Sequence, residues 1–187
     1  ITKGGLGRGE LGVVIAPTGA GKSMALVHIG AMAVASGKTV VHYTLELAEG
    51  VVGQRYDSCL TGLPLSSLFD YKDKIKEKIS TLDGQLIIKE YPTKSATTMT
   101  LETSLEKMRQ RGIEPDFIIV DYADLLRPVT TSYKQEHRHN IETIYEELRG
   151  IAQKFDIPVW TASQTNRSGL NAEVITMESI SEAFNKC

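Results

Sequence analysis

The stretch GVVIAPTGAGKS, Gly12–Ser23, constrains this chain more than any other. Gly12–Ala16 reads as a strand, and a helix is expected from about Lys22 to Ser36. Between them, Pro17–Gly21 must turn the backbone tightly. Gly19 and Gly21 allow the curl that points successive N–H groups inward at phosphate oxygens. The helix that follows adds the positive end of its dipole. Lys22 is then placed to reach the β- and γ-phosphates of ATP, and the Ser23 hydroxyl to ligate Mg2+. Pro17, Thr18, Ala20 and Met24 complete this phosphate-binding loop, in which Ala16 stands where the usual first glycine would be.

The remaining chain alternates in the same sense. Strands are expected at Thr39–Leu45, Gln85–Glu90, Asp116–Asp121 and from Val159. Helices are expected over roughly Ala48–Leu60, Leu68–Leu82, Leu101–Gln110 and Asn140–Phe155. Gly37 should stop the first helix as a C′ glycine. The unbroken apolar run of FIIV suits a strand buried on both faces. Strands separated by helical crossovers predict an α/β fold, with a mostly parallel sheet flanked by helices on both faces. Ligands collect at the carboxyl ends of strands in such sheets.

The chain's 187 residues fit a single domain with a sizeable core, and no linker or repeat divides them. A net charge of −2 gives no global attraction to polyanions, so any nucleic-acid site must be a local patch. No apolar run is long enough to span a bilayer, and no signal-peptide pattern opens the chain, so no membrane partner is expected. Cys59 and Cys187 match no metal or redox spacing, which predicts a reducing, cytoplasmic setting. The first residue is Ile1 rather than methionine, so a trimmed fragment with flanking domains elsewhere is expected.

Three further strand ends carry chemistry. Asp121 closes the fourth strand after four apolar residues, where a carboxylate needs a partner such as Mg2+. Glu46 stands where the second strand leaves the sheet. It is either a base that polarises the attacking water or an ordinary acid at a helix start. Gln164 ends the fifth strand, and its amide can donate to a γ-phosphate and so report whether that phosphate is present.

Together GGLGRGELGVVIAPTGAGKS, YTLELAE, FIIVDYADLL and ASQTNR, in this order and spacing, resemble the ATPase domain of DnaB-like hexameric replicative DNA helicases. These sit in the RecA-like group of P-loop ATPases, beside recombinases and KaiC-type ATPases. The resemblance runs from Gly4 to about Gly169 and is weakest over Thr61–Thr100. It implies a fifth strand lying between the first and fourth, with Gln164 between Lys22 and Asp121. It also implies that Glu46 is the catalytic glutamate. Arg55 matches an arginine that recurs after that glutamate, fitting either nucleotide contact or an internal salt bridge. Loops at about Leu126–His139 and Asn166–Met177 correspond to those that hold single-stranded DNA in the channel of a ring. Arg127, Lys134, Arg138, Asn166 and Arg167 are the candidate DNA contacts, weighed against solvated loops.

Two departures stand out. Asp124 occupies a position where the family usually has glutamine, which places a further acid near the metal site or the channel. Family members also continue past the point equivalent to Cys187 into strands bearing an arginine finger. That finger cannot be assigned in this chain, and a protein ending here is expected to hydrolyse ATP poorly. The resemblance implies a homo-oligomeric ring, a hexamer in the intact protein, and a primase or helicase loader among its partners. The alternative reading is a KaiC-like or recombinase-like ATPase that switches or assembles without unwinding DNA.

Overall fold

The computed structural model describes residues 5–129 and 137–164, with side chains from residue 140 onward in the second span. Strands β1 (Leu11–Ala16), β2 (Thr39–Thr44), β3 (Gln85–Glu90), β4 (Phe117–Asp121) and β5 (Val159–Gln164) form one parallel sheet. Helices α1 (Lys22–Ala35), α2 (Glu49–Thr61), α3 (Lys72–Ser80), α4 (Thr98–Gln110) and α5 (His137–Phe155) connect or follow them. The strand order is β1-β5-β4-β2-β3. The last strand thus inserts between the first and the fourth, as the resemblance implied.

Side-chain alternation decides the layering. Val41, Tyr43, Ile118, Val120 and Val159 meet Leu101 and Leu105 of α4 and Leu148 and Ile151 of α5 on one face. Val40 and Ile119 point the other way, into a cluster with Leu26 and Val34 of α1. Val27 and Ala31 then join α1 to Val52 and Tyr56 of α2. Each fully buried Leu or Ile stabilises the fold by roughly 1.5–3 kcal/mol before entropy is subtracted. The run Ile118–Val120 is apolar without a break because both of its faces are covered.

Helix α1 stops as expected. Gly37 adopts a left-handed φ of 79°, its N–H donates to Val34 O, and the Lys38 N–H donates to Ala33 O. This double bond pattern satisfies carbonyls that a helix end leaves orphaned.

Two helix expectations need correction. The segment expected as one helix over Leu68–Leu82 is a 3-10 turn, Leu65–Tyr71, followed by α3. Only Leu68 and Ile75 there are buried, too narrow an apolar stripe to hold a continuous helix against α2. Helix α4 begins three residues before Leu101, because Thr97 and Thr100 cap each other reciprocally. The other helices and strands fall within about three residues of their expected ends, normal scatter for termini.

Candidate active site

The carboxyl ends of β1, β2, β4 and β5 open on one cavity of about 330 Å³. Sheet register explains why their residues meet. Ala16 pairs with Gln164, which sets the end of β5 beside the start of the phosphate loop. Thr44 pairs with Asp121, and the Leu45 N–H donates to Asp121 O, which carries the next residue, Glu46, to the same edge.

The phosphate loop has the conformation its glycines permit. Gly19 and Gly21 hold φ values of 77° and 91°. A Cβ at either would meet nothing within 4 Å, so backbone strain rather than crowding selects glycine there. Gly21 also starts α1 without any side-chain cap, leaving the first-turn N–H groups for an anion. Ala20 N donates to Pro17 O across the turn. The Lys22 ammonium donates to Ala16 O at 3.1 Å and Pro17 O at 3.0 Å, which holds it across the loop. Thr18, Gly19, Lys22 and Met24 line the cavity.

Asp121, at the end of β4, is only 1% exposed. Burial raises its pKa above the usual carboxylate range and the charge of Glu46 adds to this, while a hydrogen bond from Ser23 and the charges of Arg55 and Lys22 oppose it. Its Oδ1 is buried with no hydrogen-bond partner. An orphaned carboxylate oxygen beside a serine hydroxyl is a hard oxygen pair, and Mg2+ fits such donors. Among the described residues no cage of three or more His, Cys, Asp or Glu side chains forms, so this pair is an open edge rather than a closed metal site. The Asp121–Tyr122 peptide is cis.

Glu46 is exposed at the cavity wall, close enough to raise the pKa of both Asp121 and Tyr122. Arg55 lines the same cavity from α2 and, among the described residues, forms no ion pair. Gln164 lines it from β5, its side-chain amide donating to the Thr18 hydroxyl. Lys22, Ser23, Glu46, Arg55, Asp121 and Gln164 are therefore brought together.

Of the candidate DNA contacts, the side chain of Arg127 is described. The Arg127 side chain is exposed and its backbone is pinned beside α4, its N–H donating to Ala96 O, outside the cavity lining. Lys134, Asn166, Arg167 and the Arg138 side chain lie outside the described residues. Tyr122 and Leu47 also line the cavity and escaped the sequence reading. Each directly follows a residue that was read, Asp121 and Glu46, and that adjacency was the available signal.

Asp124, the acid that stands where the family usually has glutamine, adjoins the site: its carboxylate accepts from the Tyr145 hydroxyl, the Ser163 hydroxyl and the Gln164 N–H.

The family model for the DnaB-like helicase C terminal domain matches residues 2–173. The chain belongs to this family. A DnaB-like replicative helicase of Enterobacteria phage T4 is 31% identical over 194 residues, covering 98% of this chain and 41% of the relative. The replicative DNA helicase DnaB of Mycoplasma pneumoniae is 23% identical over 177 residues, covering 85% of this chain and 36% of the relative. The chain therefore spans about two fifths of the length of these curated relatives.

Two solved structures share the fold. One is a DnaB-like replicative helicase described with its interactions with primase, at a TM-score of 0.75 and 14% identity, covering 91% of this chain and 42% of that one. The other is an ATPase domain at a TM-score of 0.76 and 13% identity, covering 92% and 64%. The DnaB-like fold thus puts a phosphate loop, two carboxylates, an arginine and an amide around a single cavity. Among the described residues no helix is long and apolar enough to cross a membrane.

Proposed function

We propose that this domain is the motor of an ATP-dependent replicative DNA helicase, binding Mg-ATP in the cavity and coupling hydrolysis to movement on single-stranded DNA. The observation that carries the reading is the convergence of four strand ends on that cavity. Asp121, whose buried Oδ1 has no hydrogen-bond partner among the described residues, interacts there with Ser23, Glu46, Arg55 and Lys22 of the cavity lining. Residues Pro17–Met24 cradle the phosphates, chiefly through N–H groups of the loop and of the α1 N-terminus. Lys22 leaves its own loop carbonyls to stabilise negative charge on the β- and γ-phosphates. Ser23 and Asp121 hold Mg2+, which when bound neutralises phosphate charge during transfer. Glu46 orients and polarises the attacking water. Gln164 exchanges the Thr18 hydroxyl for the γ-phosphate and so senses it. Arg55, which forms no ion pair among the described residues, contacts the nucleotide from α2.

The working form is a homo-oligomeric ring, a hexamer, closed by head-to-tail contacts with ATP between subunits. The neighbouring subunit supplies the trans-acting arginine. Arg127, Lys134, Arg138, Asn166 and Arg167 contact the DNA backbone, and a primase or helicase loader is a protein partner. The setting is the cytoplasm of a bacterial or phage-infected cell. Family membership and relatives described as replicative helicases favour unwinding over a switching or filament-forming ATPase.

The decisive experiment is ATP hydrolysis by the intact protein with and without single-stranded DNA across a salt series. DNA stimulation that fades with salt is expected, because phosphate contacts release counterions. Hydrolysis indifferent to DNA, with no unwinding of a forked duplex, overturns the reading.

A further inference from the structure

Strand β4 stops accompanying β5 before β5 ends. Their pairing runs Ile118↔Val159, Ile119↔Trp160 and Val120↔Thr161, whereas β1 follows β5 all the way to Gln164. After Thr161 the β4 side of β5 is served by side chains instead. Thr161 Oγ1 donates to Val120 O and accepts from the Ala123 N–H. The Tyr145 hydroxyl of α5 reaches Ala162 O at 3.3 Å. Asp124, in the short 3-10 turn Ala123–Leu125, takes the rest. Its Oδ2 accepts from Ser163 Oγ and from the Gln164 N–H, both at 3.3 Å, and its Oδ1 accepts from Tyr145 Oη at 2.9 Å.

We propose that Asp124 is the positioning residue for the γ-phosphate sensor: its carboxylate fixes the backbone of Gln164 and ties that backbone to α5 through Tyr145. This rests on the reading of Gln164 as the sensor. Gln164 is held at two points that face apart. Its N–H meets Asp124 behind the strand end, while its side-chain amide meets Thr18 of the phosphate loop. An amide at a strand terminus without a second strand would sample several orientations, and misplacement of a positioned group lowers turnover steeply. A carboxylate suits the task because both oxygens only accept, and three donors converge on it. The same three hydrogen bonds offset part of the cost of holding that carboxylate half-buried. The link also gives the nucleotide site a rigid connection to α5, the helix that follows the first candidate DNA loop.

The test uses the intact protein and measures steady-state ATP turnover, affinity for a non-hydrolysable ATP analogue and melting temperature. Asp124→Ala is expected to lower kcat on the order of tenfold while analogue affinity stays within about threefold. Asp124→Asn keeps one acceptor for Gln164 and Ser163, and its amide can donate to Tyr145. It should recover most of the lost turnover. In a Gln164→Ala background, where there is no sensor to position, Asp124→Ala should lower kcat no further, although its effect on melting temperature persists. Should Asp124→Ala fail to fold, Tyr145→Phe removes one donor only, and about a threefold fall in kcat is expected, again absent with Gln164→Ala.

Unchanged kcat in the Asp124 and Tyr145 variants overturns the inference, as does an equal fall in both backgrounds. A parent protein that does not hydrolyse ATP overturns the underlying functional reading instead, and this inference with it.

Discussion

The side-chain amide of Gln164, at the end of β5, donates to the hydroxyl of Thr18 in the phosphate loop. The two residues are 146 positions apart in sequence, and the β1–β5 register brings them together. If Gln164 senses the γ-phosphate, removing its amide should slow chemistry more than binding. Gln164→Ala is expected to lower kcat by about 10²-fold, the usual loss for one preorganised donor. The dissociation constant for ATP should move less than about threefold. Turnover assays and fluorescent-nucleotide titration on the intact protein separate these effects, and a rise in dissociation constant matching the fall in kcat counts against a sensor.

Lys22 and Glu46 should fail in different ways. If Lys22 supplies charge to the phosphates, Lys22→Ala should abolish measurable ATP binding. Glu46 lies at the cavity wall and is assigned to the water, so Glu46→Gln should bind ATP normally. Its turnover should fall by about 10²-fold or more, the range of a lost general base. Near-normal turnover in Glu46→Gln would move the base to another residue.

If Asp121 holds Mg2+, it does so at a cost to stability. Its carboxylate is 1% exposed with one oxygen unpartnered, which is costly in the absence of a cation. Asp121→Asn should therefore melt at a higher temperature than the parent without nucleotide, by at least about 2 °C if roughly 1 kcal/mol is recovered. The same variant should lose the additional stabilisation that Mg2+ gives the parent in the presence of ATP. A lower melting temperature without nucleotide means that the carboxylate is better satisfied than its geometry indicates.

The layout of this site was legible because its chemistry sits at strand ends, and strand ends are marked by abrupt polarity. Asp121 follows an unbroken apolar run, and Glu46 and Gln164 stand where mostly apolar strands end. Lys22 follows the glycine loop after β1, and the sheet gathers all four. What stayed hidden depends on contacts across long separations. Asp124 read as an acid near the metal site or the channel, in place of the family's glutamine; only the meeting of α5 with β5 shows that Tyr145, Ser163 and Gln164 converge on it. The break before α3 was hidden for a related reason. Leu68, Ile75, Ile79 and Leu82 have helical spacing, but only Leu68 and Ile75 among them are buried. The early start of α4 was readable, since Thr97 and Thr100 have capping-box spacing with threonine in place of the usual acid.

Gly30 reverses an ordinary expectation. It lies inside α1, where alanine normally stabilises a helix by up to about 1 kcal/mol relative to glycine. Here an added Cβ would come within 2.2 Å of the Tyr56 hydroxyl and 2.7 Å of Ile119 Cδ1. Both neighbours are buried and cannot retreat without disturbing α2 or the sheet. Gly30→Ala should therefore destabilise the domain by about 1–3 kcal/mol, the usual cost of overpacking. Because Tyr56 adjoins Arg55 on α2, ATP affinity should weaken as well. A denaturant midpoint at or above the parent's would show that α2 yields easily.

His42 gives the fold a pH dependence whose sign can be worked out. It is fully buried in β2, and its Nδ1 lies 2.9 Å from the Tyr56 hydroxyl while Nε2 has no partner. Burial pushes its pKa from 6.5 down to about 3. The folded protein therefore keeps this imidazole neutral while the unfolded chain protonates it below the ordinary value. The unfolded state binds the extra proton, so stability falls as pH drops from that value towards about 3. Between about pH 6.5 and about pH 5 this one group should remove about 1.6 kcal/mol. Comparison with His42→Gln isolates the effect, since the carboxylates and the other histidines are common to both proteins. The variant should be less stable near neutral pH, because it repacks a buried site, yet its disadvantage should shrink by about that amount as pH falls through the window. Urea midpoints at the two pH values measure the change, and a stability gap that stays constant would show that His42 is protonated in the folded protein.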